Sequence, residues 1–274
     1  MTTVLTPTTT PTPSNDRTAL RVTQVRVLFS EWTKFRSLRS TVSTLLIAVV
    51  LMIGLGAMFA AITASQSTGF EPGATAISTS LTGTFFAQLA VGVLGVLLVT
   101  GEYSTGMIRS SLTVVPSRLP MLWGKLAVFA GTGFLTMLAA SFTAFLVGQA
   151  LLGEQLSASL SDQGALRSVL GAALYLTVAG LTAIALGALL RNTAAAITTF
   201  VAVFFVIPPL TQLLPTSLTD HFVQYLPSNA GAVMLDGTFG VAHPLTPWTG
   251  FAVMCTYAVV LIEFAAWRLR RVDA

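Results

Sequence analysis

The chain has 274 residues, of which 54% are hydrophobic and only 9% charged, with a formal net charge of +4 at pH 7. Charged residues make up about 25% of soluble globular domains, so a water-solvated globule is excluded. The excess of cations is not a nucleic-acid signature, because no basic patch is interleaved with stacking aromatics.

Residues 1–16 form a Thr/Pro tail, too polar and too proline-rich to bury a core, and are expected to be disordered. Residues 17–274 read as a single membrane domain, since no connection between its apolar stretches is long enough for a second one. The first apolar stretch begins some forty residues in and is too long for the h-region of a signal peptide, so it reads as an uncleaved span. Ahead of it, Val22, Val25, Leu28, Phe29, Trp32 and Phe35 recur at spacings of three and four, which predicts a helix with one apolar face. Trp32, Lys34, Phe35, Arg36 and Arg39 carry the expected interfacial helix: an indole at headgroup level and cations for an anionic leaflet.

Six apolar stretches come next, at about 41–63, 79–100, 126–152, 168–190, 193–214 and 247–267, each long enough to cross a bilayer core of about 30 Å as a helix. The expected fold is therefore all-α and integral to the membrane, with six transmembrane helices. After the second stretch, Gly101 can end a helix, and Pro116 and Pro120 interrupt any helix that continues beyond it. Between them, Glu102, Thr105 and Arg109 fall on one helical face and Tyr103, Met107 and Leu112 on the other, which predicts a short amphipathic helix offering a polar docking face. Arg191 and Asn192 alone separate the fourth and fifth stretches, predicting a tight antiparallel pair. Pro208-Pro209 is expected to bend or end the fifth helix. The half-apolar segment after it reads as either re-entrant pieces or an ordinary loop.

Cations alternate along these gaps. Arg17, Arg21, Arg26, Lys34, Arg36, Arg39, Arg109, Arg118, Lys125, Arg191, Arg268, Arg270 and Arg271 fall on one side of a six-pass arrangement, and only Arg167 falls on the other. The positive-inside rule makes the rich side cytoplasmic, with both termini there. Twelve Arg against two Lys point to a GC-rich bacterial genome, hence a bacterial cell membrane.

Catalytic chemistry is not legible. No GxxxxGK[ST] occurs, and Gly124-Lys125 lacks the upstream glycine and the following hydroxyl. HExxH, CxxC and GxSxG are missing too. His221 and His243 share the fifth-to-sixth connection, where solvated side chains are the ordinary reading, so no metal site is expected. Glu263 is the one ionisable residue within a predicted span, about a turn from the basic end, and snorkelling or pairing with an arginine accounts for it. Gln88 and Gln149 are expected to hydrogen-bond between helices, and Gly92, Gly95, Gly131, Gly133, Gly180 and Gly187 to permit close packing within the protomer or across a dimer.

The segments EWTKFRSLRST (31–41), GEYSTGMIRSSLTVVPSR (101–118) and, more weakly, YLPSNAG (225–231) resemble permease subunits of bacterial ABC transporters of the type-2 exporter class. The resemblance implies that the first segment is the connecting helix and the third the short outer helices. It makes the second the coupling helix that fits a cleft in the ATPase, implicating Glu102, Tyr103, Thr105, Arg109 and Arg118. It further implies a half-transporter. ATP and Mg would be bound by a separate ABC ATPase subunit, no cofactor by this chain, and a second permease chain, more readily identical than different, would complete the pathway along the second and fifth spans. No residue of the chain would be catalytic. Two other classes remain open: a gradient-driven secondary transporter, and a non-transporting regulatory or immunity subunit.

Overall fold

The computed structural model describes residues 24–65, 74–104, 118–154, 156–211, 213–215, 222–235 and 244–271. Helices dominate, and no strand occurs among the described residues. Helix α1 (Gln24–Ser37) leads through Leu38 into α2 (Arg39–Ser65), and a short α3 (Ala74–Ser80) precedes α4 (Gly83–Ser104). Helix α5 (Arg118–Leu152) runs back to the far end, and α6 (Ala165–Leu190) returns from it. The fifth crossing is composite: α7 (Thr193–Val201), a π-helical turn (Ala202–Val206) and α8 (Ile207–Thr211). A buried α9 (Pro227–Ala232) between two 3-10 turns then leads to α10 (Pro247–Arg271).

Six of these segments are long and apolar enough to span a membrane: Arg39–Ser65, Thr75–Tyr103, Leu119–Leu152, Ala165–Leu190, Thr193–Thr211 and Pro247–Arg271. The number matches the expectation from sequence, and each span has at least one bound shifted, by up to seven residues. The third span starts near residue 119 rather than 126. The fifth runs through Pro208-Pro209, as its expected bounds did, but ends at Thr211 rather than 214; a π turn precedes the prolines, in which Ile207 donates its N–H to Ala202 O, five residues back.

Helix α6 is the central post, 83% buried along its apolar window, whereas α2 and the fifth span are only 22% and 17% buried. Small residues let its neighbours come close, which matters where apolar burial alone does not drive association. A Cβ on Gly95 would lie 2.6 Å from the Gly180 carbonyl oxygen, so α4 and α6 touch backbone to backbone. Phe200 fills the notch at Gly92, and Phe129 the notch at Gly180. Those glycines therefore serve packing inside the protomer, whereas Gly131 faces open space.

The turn between α6 and α7 is as tight as its two residues require. Arg191 adopts φ 52°, the one positive φ outside glycine among the described residues, and its N–H caps Gly187 O at 3.0 Å. Asn192 then opens α7 by accepting the Ala195 N–H at 3.0 Å. At the opposite end, Gln149 donates to Ser80 Oγ at 2.9 Å and Ala76 O at 3.2 Å, and accepts the Ala158 N–H at 2.6 Å. One fully bonded amide thus clasps α3, α5 and the 153–164 connection together.

Candidate functional site

Two features stand out, one at each end of the bundle. At the cation-rich end, α1, the last turn of α4 and the second turn of α5 bring four charges together. Lys125 Nζ donates to Glu31 Oε2 and to Glu102 Oε1, both at 2.7 Å. Lys34 Nζ reaches Glu31 Oε1 at 2.8 Å and Glu102 Oε1 at 3.2 Å. The Lys125 side chain is only 6% exposed, against 29% for Lys34. Two ammoniums and two carboxylates make the group neutral, which is the condition under which charge survives burial. Partial burial lowers the Lys34 pKa, but the hydrogen bond and charge of Glu31, then those of Glu102, outweigh it and leave the pKa above its ordinary 10.5. A pocket of about 370 Å³ opens beside the four side chains, walled by Phe35, Leu94 and Leu98. Glu102 Oε2 is buried without a partner among the described residues.

The length of α5 explains how a lysine fits inside a spanning helix. Its 35 residues extend about 52 Å, so a core of about 30 Å leaves room for Lys125 beyond the hydrocarbon. Beside Glu102, the ring of Tyr103 lies under the Arg191 guanidinium, 5.6 Å from centroid to Cζ, joining the end of α4 to the α6–α7 turn. Arg268 on α10 donates to Leu189 O, so the C-terminal carbonyls of α6 are capped by the last helix.

Of the residues expected from sequence to form the docking site, Glu102 is buried in the charge group instead of standing on an open polar face, because Lys125 and Lys34 draw it inward. Tyr103 is half-buried under Arg191. Thr105 and Arg109, with the rest of the expected amphipathic helix, lie outside the described residues, and of Arg118 only the helical backbone is described. On α1, Phe35 packs into the core, Lys34 joins the charge group, and Trp32 and Arg36 are exposed, as is Arg39 at the start of α2. Val25 and Phe29 are 59% and 67% exposed, so the expected apolar stripe splits: Val25, Phe29 and Trp32 point away from the bundle, whereas Phe35 faces it with Val27 and Glu31. Glu31 and Lys125 were not singled out by spacing, since their bond links positions 94 residues apart. Glu263 is exposed and joins no ion pair among the described residues. His221 and His243 lie outside the described residues.

At the other end, a cavity of about 480 Å³ lies among α3, α4, the π turn and α9. The π turn delivers Phe204 and Phe205, and Phe205 meets Phe85 edge-on at 4.9 Å. Tyr175 on α6 reaches in and donates its hydroxyl to Gln88 Oε1 at 2.7 Å. No Asp, Glu, Lys or Arg among the described residues lines the space.

A family model described as "ABC-2 family transporter protein" matches residues 27–209, about two thirds of the chain. The chain belongs to the ABC-2 transporter family. A search of curated proteins finds no match. ABC-2 proteins are the membrane components of ABC transporters and are not themselves the catalytic subunits, so membership implies an ATPase partner. The family match takes in all four charges of the group and the π turn of this ABC-2 protein, while α9 and α10 lie beyond it.

Proposed function

We propose that this ABC-2 protein is the permease subunit of a bacterial ATP-driven exporter, with both termini in the cytoplasm and the ATP hydrolysed by a separate subunit. The observation that carries the reading is the buried charge group at the root of the 101–118 segment, combined with the family match. A docking helix transmits force only if its root is tied to elements that move. Here Glu102 is tied to α1 through Lys34 and to α5 through Lys125, and Tyr103 to the α6–α7 turn through Arg191.

The mechanism has three stages. The ATPase grips the segment through Thr105, Arg109 and Arg118. ATP-driven closure of two ATPase subunits presses on that segment, and Glu102 passes the load to Lys34 and Lys125. The four charges shift as a neutral unit, so no charge is left bare in a dry site while the helices tilt. Helix α1 lies along the cytoplasmic leaflet on Val25, Phe29 and Trp32, with Arg36 and Arg39 toward anionic headgroups. Two permease chains, most simply two copies of this one, enclose the pathway. Glu102 is a positioning residue in this scheme, whereas Thr105 and Arg109 make the contact with the ATPase.

The test is a mild-detergent pull-down of the tagged chain from its native host, read by mass spectrometry and a vanadate-sensitive ATPase assay. A stoichiometric nucleotide-binding subunit that is lost with Thr105→Ala/Arg109→Ala is the expected result. Glu102→Gln should retain the subunit but uncouple its ATPase activity from transport. A folded chain with no ATPase partner, moving substrate on a proton or sodium gradient, would overturn the proposal in favour of a secondary carrier.

A further inference from the structure

The cavity at the far end carries an unexplained set of polar atoms. Thr84 Oγ1, Gln88 Nε2 and Ser228 Oγ are buried and have no hydrogen-bond partner among the described residues. Thr84 is 2% exposed, Gln88 0% and Ser228 7%, and all three residues line the cavity. Buried polar groups are nearly always paired, because an orphan costs its full desolvation penalty. Three orphans around one space call for a common partner.

The chemistry of that partner is set by the lining. Gln88 Nε2 is an amide nitrogen and can only donate, its oxygen accepting from Tyr175, while the two hydroxyls can donate as well as accept. The set therefore seeks acceptor oxygens. With no charged side chain among the described residues of the wall, an ionic ligand would enter uncompensated. Phe85, Phe204 and Phe205 present ring faces and edges to anything inside, which favours a flat unsaturated body. A volume of about 480 Å³ lies in the range of small-molecule sites, roughly 300–1,000 Å³, and is far larger than a bridging water requires.

We propose that this cavity is a binding site, contained within one protomer, for a neutral aromatic or polyunsaturated molecule bearing carbonyl or hydroxyl oxygens. Gln88, Thr84 and Ser228 donate to those oxygens while the phenylalanines hold the apolar body. That the bound molecule is cargo rests on the permease reading; that it binds does not.

The test uses benzophenone, a neutral aromatic ketone that also inserts into nearby C–H bonds under near-ultraviolet light. The full chain in lipid nanodiscs is labelled across a concentration series and its adducts mapped by mass spectrometry. Saturable labelling of 84–88 and 204–209, above that of the lipid-facing Val259 and Val260 on α10, is expected. Diphenylmethane, which has the rings but no carbonyl, should compete roughly twenty-five-fold less well, since the carbonyl oxygen accepts about two hydrogen bonds worth about fivefold each. 4-Benzoylbenzoate, being charged, should not compete. Gln88→Met should weaken labelling about fivefold, but it also strands the Tyr175 hydroxyl. Thr84→Val and Ser228→Ala remove only unbonded hydroxyls, so at least one of them should weaken benzophenone binding while both leave thermal stability equal or higher. Adducts spread evenly over lipid-facing positions, effective competition by the carboxylate, or unchanged affinity in the Thr84 and Ser228 variants would overturn the proposal. Because the assay contains no ATPase, its outcome is independent of the pull-down.

Discussion

Replacing Lys125 by Met removes the shared cation of the charge group while nearly keeping its volume. The native group holds two ammoniums and two carboxylates; the variant leaves Glu31 and Glu102 served by Lys34 alone, with one negative charge uncompensated. Removing one partner of a buried ion pair costs about 3–5 kcal/mol. Lys34 still touches both carboxylates and is itself 29% exposed, so solvent and the remaining cation hold the loss near the lower bound, about 3 kcal/mol. The assay is reversible unfolding of the purified chain in mixed micelles with increasing dodecyl sulfate, followed by far-ultraviolet circular dichroism. Adding Glu31→Gln to Lys125→Met restores neutrality, leaving the Lys34–Glu102 pair, and should recover at least about 1 kcal/mol as coupling energy. A Lys125→Met variant within about 0.5 kcal/mol of the native chain would refute the reasoning, placing the group in water after all. Strict additivity of the two changes would do the same, since it would mean that Lys125 and Glu31 do not sense each other.

Gly95→Ala should cost about 1–3 kcal/mol in the same assay, because its methyl would press on the Gly180 carbonyl, whereas Gly131→Ala should be neutral or stabilising by up to about 1 kcal/mol. Lys34 has a pKa above 10.5 in the folded chain, so its stabilising contribution is complete below 10.5 and disappears as pH rises through the folded value. The melting-temperature difference between the native chain and Lys34→Met should thus stay flat from neutral pH to about 10 and narrow above 10.5; closure below about pH 9 would contradict the ion-pair geometry. Pro208→Ala/Pro209→Ala supplies N–H donors that allow regular α-helical hydrogen bonding, so the π turn should relax and Phe205 should leave Phe85. Reduced benzophenone labelling at 204–209, with unchanged expression in the membrane, is the expected readout.

The spans were legible because hydropathy and charge sorting reinforce each other over twenty-residue windows, and six segments of spanning length are found among the described residues. Their ends were less legible. A lone Lys125 before an apolar run reads as a loop cation, yet it lies two turns inside α5 because Glu31 and Glu102 neutralise it from distant positions. Helical projection put Glu102 on an open face for the same reason: periodicity sees neighbours along one helix, not an ammonium delivered by another. Pro208-Pro209 announced a bend or an end, and the structure shows a π turn just before them and an end soon after, at Thr211. Gln88 and Gln149 looked alike in sequence, and only packing distinguishes the fully bonded clasp at Gln149 from the half-bonded amide at Gln88. The glycine set separated in the same manner, with Gly92, Gly95 and Gly180 committed to contacts inside the protomer and Gly131 left in open space.

The enclosure of α6 has a consequence for biogenesis. With a mean hydropathy of 2.1 it is among the more apolar spans, yet it ends up surrounded by protein and meets little lipid. Its apolar character therefore serves the moment of translation, when a nascent segment must partition from the insertion machinery into the bilayer by its own composition. The fourth spanning helix emerges after α2, α4 and α5 and before its last two neighbours, so the groove that will receive it must stand open until it arrives. Polar changes on α6 chosen to suit its final surroundings would consequently fail at an earlier stage, as chains that never enter the membrane rather than as permeases that fold poorly.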